Sequence, residues 1–86
     1  MRVVNTEDLG LLVRDERRRR GLSQASLCTA AEVSRRWLSD FEAGKATAEI
    51  GLVFRVLHAL DLIVEVAERG QTDFDLDDII RVQGGG

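Results

Sequence analysis

Residues 21–45, GLSQASLCTAAEVSRRWLSDFEAGK, hold two helix-sized segments, each opened by a serine and each closed by a turn residue. Ser23 can accept a hydrogen bond from an orphan N–H at the start of a first short helix, with Gln24 in its opening turn. Leu27, Cys28 and Ala31 give that helix an apolar face at the helical period. A brief turn follows at Glu32. Ser34 then caps a second helix, predicted from Arg35 to about Ala43 and stopped by Gly44. Leu38 and Phe41 face inward at i and i+3. Trp37 stands one turn before Phe41, which favours partial core packing over stacking on a sugar.

Outward from this pair, the pattern stays helical on both sides. Asn5 or Thr6 caps a first helix, whose Glu7 and Asp8 suit the positive end of its dipole. Leu9, Leu12, Val13 and Glu16 follow the period, with Arg17 and Arg20 completing it, and Gly21 ends the element. On the far side, Thr47 or Ala48 leads into a helix running to about Leu60. Its predicted inward set is Ile50, Val53, Phe54, Leu57 and Leu60. After Asp61 the period drops from 3.6 to 2. Leu62, Ile63, Val64, Glu65 and Val66 read as a short strand over residues 62–67. A strand needs a partner for its backbone groups, either Arg2-Val3-Val4 or the same strand of a second chain; the small size of the domain favours the second. The domain therefore spans residues 1–69. Residues 70–86 form an acidic tail in which Phe74, Leu76, Ile79 and Ile80 stand among carboxylates. That mixture suits a flexible tail, a segment covering the dimer's own groove, or a partner-binding segment, and the spaced apolar residues exceed what solvation alone requires.

Composition narrows the function classes. Eighty-six residues suffice for one compact domain. The net charge of −3 is an average over unlike parts: residues 14–45 carry eight basic and five acidic side chains, a net of +3, and the remainder carries −6. A local basic footprint is thus compatible with an acidic total. Cys28 is the one cysteine, so no disulfide forms within the chain, a usage that suits a reducing cytoplasm. Apolar runs such as Leu62-Ile63-Val64 are far too short to span a bilayer. His58 has no thiol or carboxylate at ligand spacing, and the serines lack a base and an orienting group. No metal site, cofactor loop or enzymatic constellation is expected.

What remains is a pattern for gripping a duplex. Gln24 sits where free backbone N–H groups and a side-chain amide can bond phosphate oxygens. Arg35 and Arg36 open the second short helix, and arginine pairs bidentately with guanine O6 and N7. Ser39 and Asp40 lie one turn on, on the same side; Asp40 suits cytosine N4 or the orientation of an arginine. Lys45 follows the helix end, placed for a phosphate.

The spaced residues Leu9-Gly10, Arg14, Arg17, Gly21-Leu22-Ser23-Gln24, Leu27, Val33-Ser34-Arg35-Arg36, Phe41-Glu42, Gly44-Lys45 and Val56-Leu57-His58-Ala59-Leu60 resemble the Cro/C1-type (XRE) helix-turn-helix family. Within it the chain is most similar to the HipB-like antitoxins (y4mF-type regulators). The resemblance implies an all-α, lambda-repressor-like domain of four to five helices, with one short C-terminal strand pairing in a homodimer. It implies base reading by Ser34, Arg35, Arg36, Ser39 and Asp40, phosphate contacts from Arg14, Gln24 and Lys45, and an internal ion pair of Arg17 with Glu42. It also implies a near-palindromic double-stranded DNA operator, a HipA-like kinase toxin as partner, and a place at the nucleoid. Stand-alone repression without a toxin, or an adaptor role that kept the fold and lost DNA, are the alternatives. Two departures from the family pattern are Glu32, at a turn position often held by glycine, and Cys28, where alanine commonly follows Leu27.

Overall fold

Helix formation starts from side chains that satisfy orphan N–H groups. The computed structural model describes residues 2–68, and in it Asn5 accepts the N–H of Asp8 at 2.7 Å and opens α1, Thr6–Arg19. Ser23 accepts from the N–H of Ser26 at 3.0 Å and opens α2, Gln24–Ala31. Ser34 does the same for Trp37, also at 3.0 Å, and opens α3, Arg35–Glu42. α4, Ile50–Ala59, begins after Glu49, whose side chain makes no cap bond. The helix therefore starts a little beyond the Thr47-Ala48 lead-in read from the sequence. Gly21 (φ 69°) and Gly44 (φ 96°) close α1 and α3 in the left-handed region, where the lack of a Cβ removes the penalty.

α1 packs on α3, α3 on α2, and α2 on α4. The space they enclose is filled by Val13, Leu27, Cys28, Ala31, Leu38, Phe41, Val53, Val56, Leu57 and Leu60. Trp37 lies half-buried against this core and stacks on Phe41 with ring centroids 5.0 Å apart. Burial pushes the Cys28 thiol above its usual range, so at neutral pH it stays protonated and fills space as a small hydrophobe. None of the described helices is long and apolar enough to cross a membrane.

The inward set of α4 differs from the one expected. Val53, Val56, Leu57 and Leu60 are buried, whereas Ile50 and Phe54 are 65% and 41% exposed. The apolar arc of this helix is wider than the strip α2 covers, and Val56 takes the inward place assigned to Ile50 and Phe54. The strand expected over residues 62–67 is also absent among the described residues. The N–H of Leu62 closes onto the carbonyl of Leu57 at 2.8 Å, and Leu62 packs partly on the core. Beyond it, Ile63, Val64 and Val66 lie exposed. Residues 2–4 form no strand either. A ladder needs two strands, and none is formed among the described residues. The tail residues Phe74, Leu76, Ile79 and Ile80 lie outside the described residues.

The turn between α2 and α3 is left-handed at Glu32, φ 58° and ψ 49°. There a side chain crowds its own backbone at a cost of about 1–2 kcal/mol. The exposed Glu32 offsets little of this, although its carbonyl accepts from Arg55 Nη1 at 3.2 Å. Glu32→Gly is therefore expected to stabilise the domain by about 1 kcal/mol, with a rise in the thermal midpoint of roughly 4–8 °C. An unchanged or lower midpoint would show that the turn is not strained.

Candidate nucleic-acid interface

One side of α3 packs inward through Leu38, Phe41 and Glu42. The helical period then turns positions 35, 36, 39, 40 and 43 to the opposite side. Arg35, Arg36 and Ser39 are exposed there and Asp40 is half-exposed. Ser34, exposed before them, is engaged through its hydroxyl as the helix cap. The residues assigned to base reading thus share one outward surface at the start of a helix that the core holds from behind.

Beside this surface lies a cleft of about 300 Å³, lined by Arg14, Arg17 and Arg18 of α1, Gln24 of α2, and Ser39, Glu42 and Ala43 of α3. The buried members form a connected set. Arg17 donates from Nε to Glu42 Oε2 at 2.8 Å and from Nη2 to Glu42 Oε1 at 2.9 Å. Its Nη1 donates to the Leu22 carbonyl at 2.8 Å, so the guanidinium also ties down the loop that starts α2. The hydrogen bonds it donates to Glu42 hold the Arg17 guanidinium even more firmly protonated than usual. Glu42 Oε1 accepts a further bond from Gln24 Nε2 at 3.1 Å, and Gln24 Oε1 accepts from Arg35 Nε at 3.2 Å. A single chain of bonds therefore runs from α1 through α3 and α2 to an arginine on the outer surface. No buried side-chain polar atom among the described residues lacks a partner.

The other cations fall into two groups. Arg19 is spent on Glu16, with Nη2 at 2.6 Å from Oε2, and Arg20 Nε stands 3.7 Å from the same carboxylate. The bond from Arg19 holds Glu16 below the usual carboxylate range. Lys45 Nζ sits 4.0 Å from Asp40 Oδ2, with the lysine exposed and the aspartate half-exposed. Asp40 thus faces a lysine rather than the arginine suggested from sequence. Arg14, Arg18 and Arg36 make no ion pair among the described residues. The helical spacing i, i+4 puts Arg14 and Arg18 together on the rim of the cleft.

Arg18, on that rim, was not among the phosphate-contacting residues read from the sequence. The usable signal was its spacing of four from Arg14. Gln24, assigned to phosphate, is instead engaged on both atoms of its amide within the protein, with one Nε2 hydrogen left over. His58 is exposed, with its ring centroid 6.3 Å from that of Phe54. No group of three or more metal-ligating side chains occurs among the described residues.

Comparison with known proteins places this geometry. The pattern of a helix-turn-helix domain family matches residues 8–70. An uncharacterised HTH-type transcriptional regulator of Sinorhizobium fredii, y4mF, is 39% identical over 70 residues, covering 81% of this chain and 92% of its own. Among solved structures, a complex of HipB with an O4 20mer superposes with a TM-score of 0.74 at 17% identity, over 80% of this chain and 97% of that one. A HipB–O1–O2 complex gives 0.73 at 18% identity, over 79% and 99%. At these identities the structural likeness establishes the shared fold.

Proposed function

The chain belongs to the helix-turn-helix family of transcriptional regulators, a non-enzymatic class, and from that premise we propose that it is a sequence-specific DNA-binding repressor. The observation that carries this reading is the surface joining Arg35 and Arg36 at the start of α3 to the unpaired Arg14 and Arg18 at the cleft rim. An arginine fork at a helix start suits base edges in a major groove, while cations on the neighbouring helix suit phosphates. In this reading Arg35, Arg36, Ser39 and Asp40 face bases, with Ser34 at the same helix start. Arg14, Arg18 and Lys45 neutralise phosphates, and Gln24 reaches the backbone with its remaining N–H. Likeness of fold to HipB, solved in complex with an O4 20mer, supports the assignment.

The protein acts as a homodimer. Ile63, Val64 and Val66 are left in water by the single chain, as are Ile50 and Phe54 on the adjoining helix, and pairing of residues 62–66 across a two-fold axis would cover them. A two-fold dimer presents two α3 helices to half-sites about 34–36 Å apart on a near-palindromic operator. The domain comprises residues 1–69 with residues 70–86 as its tail. The finer role is that of a cytoplasmic antitoxin that represses its own operon and binds a HipA-like kinase toxin, with Phe74, Leu76, Ile79 and Ile80 engaging that partner. It is supported by the resemblance of residues 9–66 to HipB-like antitoxins. Co-purification from the native operon tests it: a kinase-like protein in the complex supports the antitoxin role, and its absence leaves a stand-alone repressor.

DNA binding itself is tested on a sequence selected by the wild-type protein. Arg35→Ala is expected to cost about 1–3 kcal/mol on that sequence and to relax preference at one base pair. Arg18→Ala is expected to weaken specific and random DNA alike and to reduce the salt slope by about one. Equal losses on both DNAs for Arg35→Ala would remove its base-reading role.

A further inference from the structure

We infer that the indole N–H of Trp37 donates to a DNA phosphate, on the strand across the groove from the one that Arg14 and Arg18 meet. The inference rests on the DNA-binding role proposed above. Trp37 is half-buried, and its ring stacks on Phe41 with centroids 5.0 Å apart and planes 24° from parallel. Phe41 is itself enclosed by the core, so packing holds the indole in place. The backbone N–H of Trp37 is spent on the Ser34 cap. The indole N–H, which can only donate, makes no hydrogen bond among the described residues, where no buried side-chain polar atom lacks a partner. It therefore opens to solvent, a fixed donor available to a ligand.

Its place on α3 decides which ligand that is. Trp37 precedes Asp40 by three residues and Phe41 by four, so the three share one flank of the helix. Lys45 joins that flank through Asp40, at 4.0 Å. The cleft of Arg14 and Arg18 is lined instead by Ser39, Glu42 and Ala43 of α3. The helix thus has two unlike flanks, one on the cleft and one carrying Trp37 and Lys45. A major groove is about 12 Å wide, and a helix with its side chains spans about 10–12 Å. A helix lying in that groove brings each flank close to one of its two phosphate walls. The cleft side offers one wall two cations. The other wall meets Lys45 together with a neutral donor, whose hydrogen bond is directional where the attraction of an ammonium is not. A ring already restrained by its stack loses little freedom on binding. Lys45 supplies attraction, and Trp37 supplies register.

The test uses Trp37→Phe, which keeps an aromatic ring on Phe41 and removes the N–H. Benzothienylalanine at position 37, with sulfur in place of the N–H, makes the same deletion at constant ring size. Both proteins are measured at two salt concentrations, on the sequence selected by the wild type and on random DNA. Each is expected to bind both DNAs about tenfold more weakly. Base preference and salt slope are expected to stay unchanged, since a neutral donor releases no counterion, whereas Lys45→Ala lowers the slope by about one. Replacing phosphates singly by uncharged methylphosphonates then locates the contact. One replacement, on the strand opposite the phosphates reported by Arg14→Ala and Arg18→Ala, is expected to cost the wild type more than it costs either Trp37 variant. Wild-type affinity in both variants overturns the inference. So does a loss confined to one base pair, which makes Trp37 a base reader, or a loss for Trp37→Phe that benzothienylalanine does not share, which makes it a packing effect. A contact on the strand of Arg14 and Arg18 overturns the placement. A wild-type protein that binds no DNA removes the parent proposal, and this one with it.

Discussion

Gly10→Ala is expected to cost the domain at least about 3 kcal/mol, beyond the usual range for one added methyl group. Glycine in the middle of a helix is intrinsically unfavourable by about 1 kcal/mol relative to alanine. Judged by propensity alone, the substitution in α1 should therefore help. The packing reverses the sign. A Cβ built on Gly10 falls 1.9 Å from the carbonyl oxygen of Phe41 and 3.0 Å from its carbonyl carbon. These are backbone atoms of α3, so no rotamer change can relieve the contact, and α1 must move away from α3. That motion would also pull Arg17 from Glu42. Urea unfolding monitored through Trp37 measures the loss, and Gly51→Ala, whose Cβ meets nothing within 4 Å, serves as the control that tolerates the same change. A Gly10→Ala midpoint equal to that of wild type would contradict the close approach of the two helices.

Glu42→Ala is the second large effect, at about 3–5 kcal/mol. The pair contributes little net stability, because desolvating two charges offsets much of their attraction. Removing one partner is different. It leaves the Arg17 guanidinium buried without its counter-charge, and arginine cannot escape by losing a proton. Gln24 would lose the acceptor for its amide in the same step. Replacing both members, Arg17→Met with Glu42→Leu, is expected to recover part of the loss by substituting apolar packing. Recovery stays incomplete because the Leu22 carbonyl also loses its donor. Loss of less than about 1 kcal/mol for Glu42→Ala would mean that water reaches Arg17 and that the pair is not buried in solution.

Much of the fold was legible because its signals are local. Asn5, Ser23 and Ser34 each accept the N–H three residues on, a contact within reach of the residue's own neighbours. Gly21, Glu32 and Gly44 mark turns by conformations that depend on one residue each. Misassignment came where a helix carried more apolar surface than one neighbour could cover. Ile50 and Phe54 have the right spacing to face inward, yet α2 leaves them exposed. Periodicity gives the direction of an apolar arc, and only the partner's width decides how much of the arc is buried.

The sequence by itself determined where α1, α2 and α3 begin and end, and that basic side chains gather between residues 14 and 45, because caps, turns and charge are properties of near neighbours in the chain. Tertiary structure alone decided why α1 needs glycine at position 10, and that Gln24 hands its carbonyl oxygen to Arg35. Those outcomes depend on distances between residues 11 to 31 positions apart, and no local preference encodes a distance that packing sets.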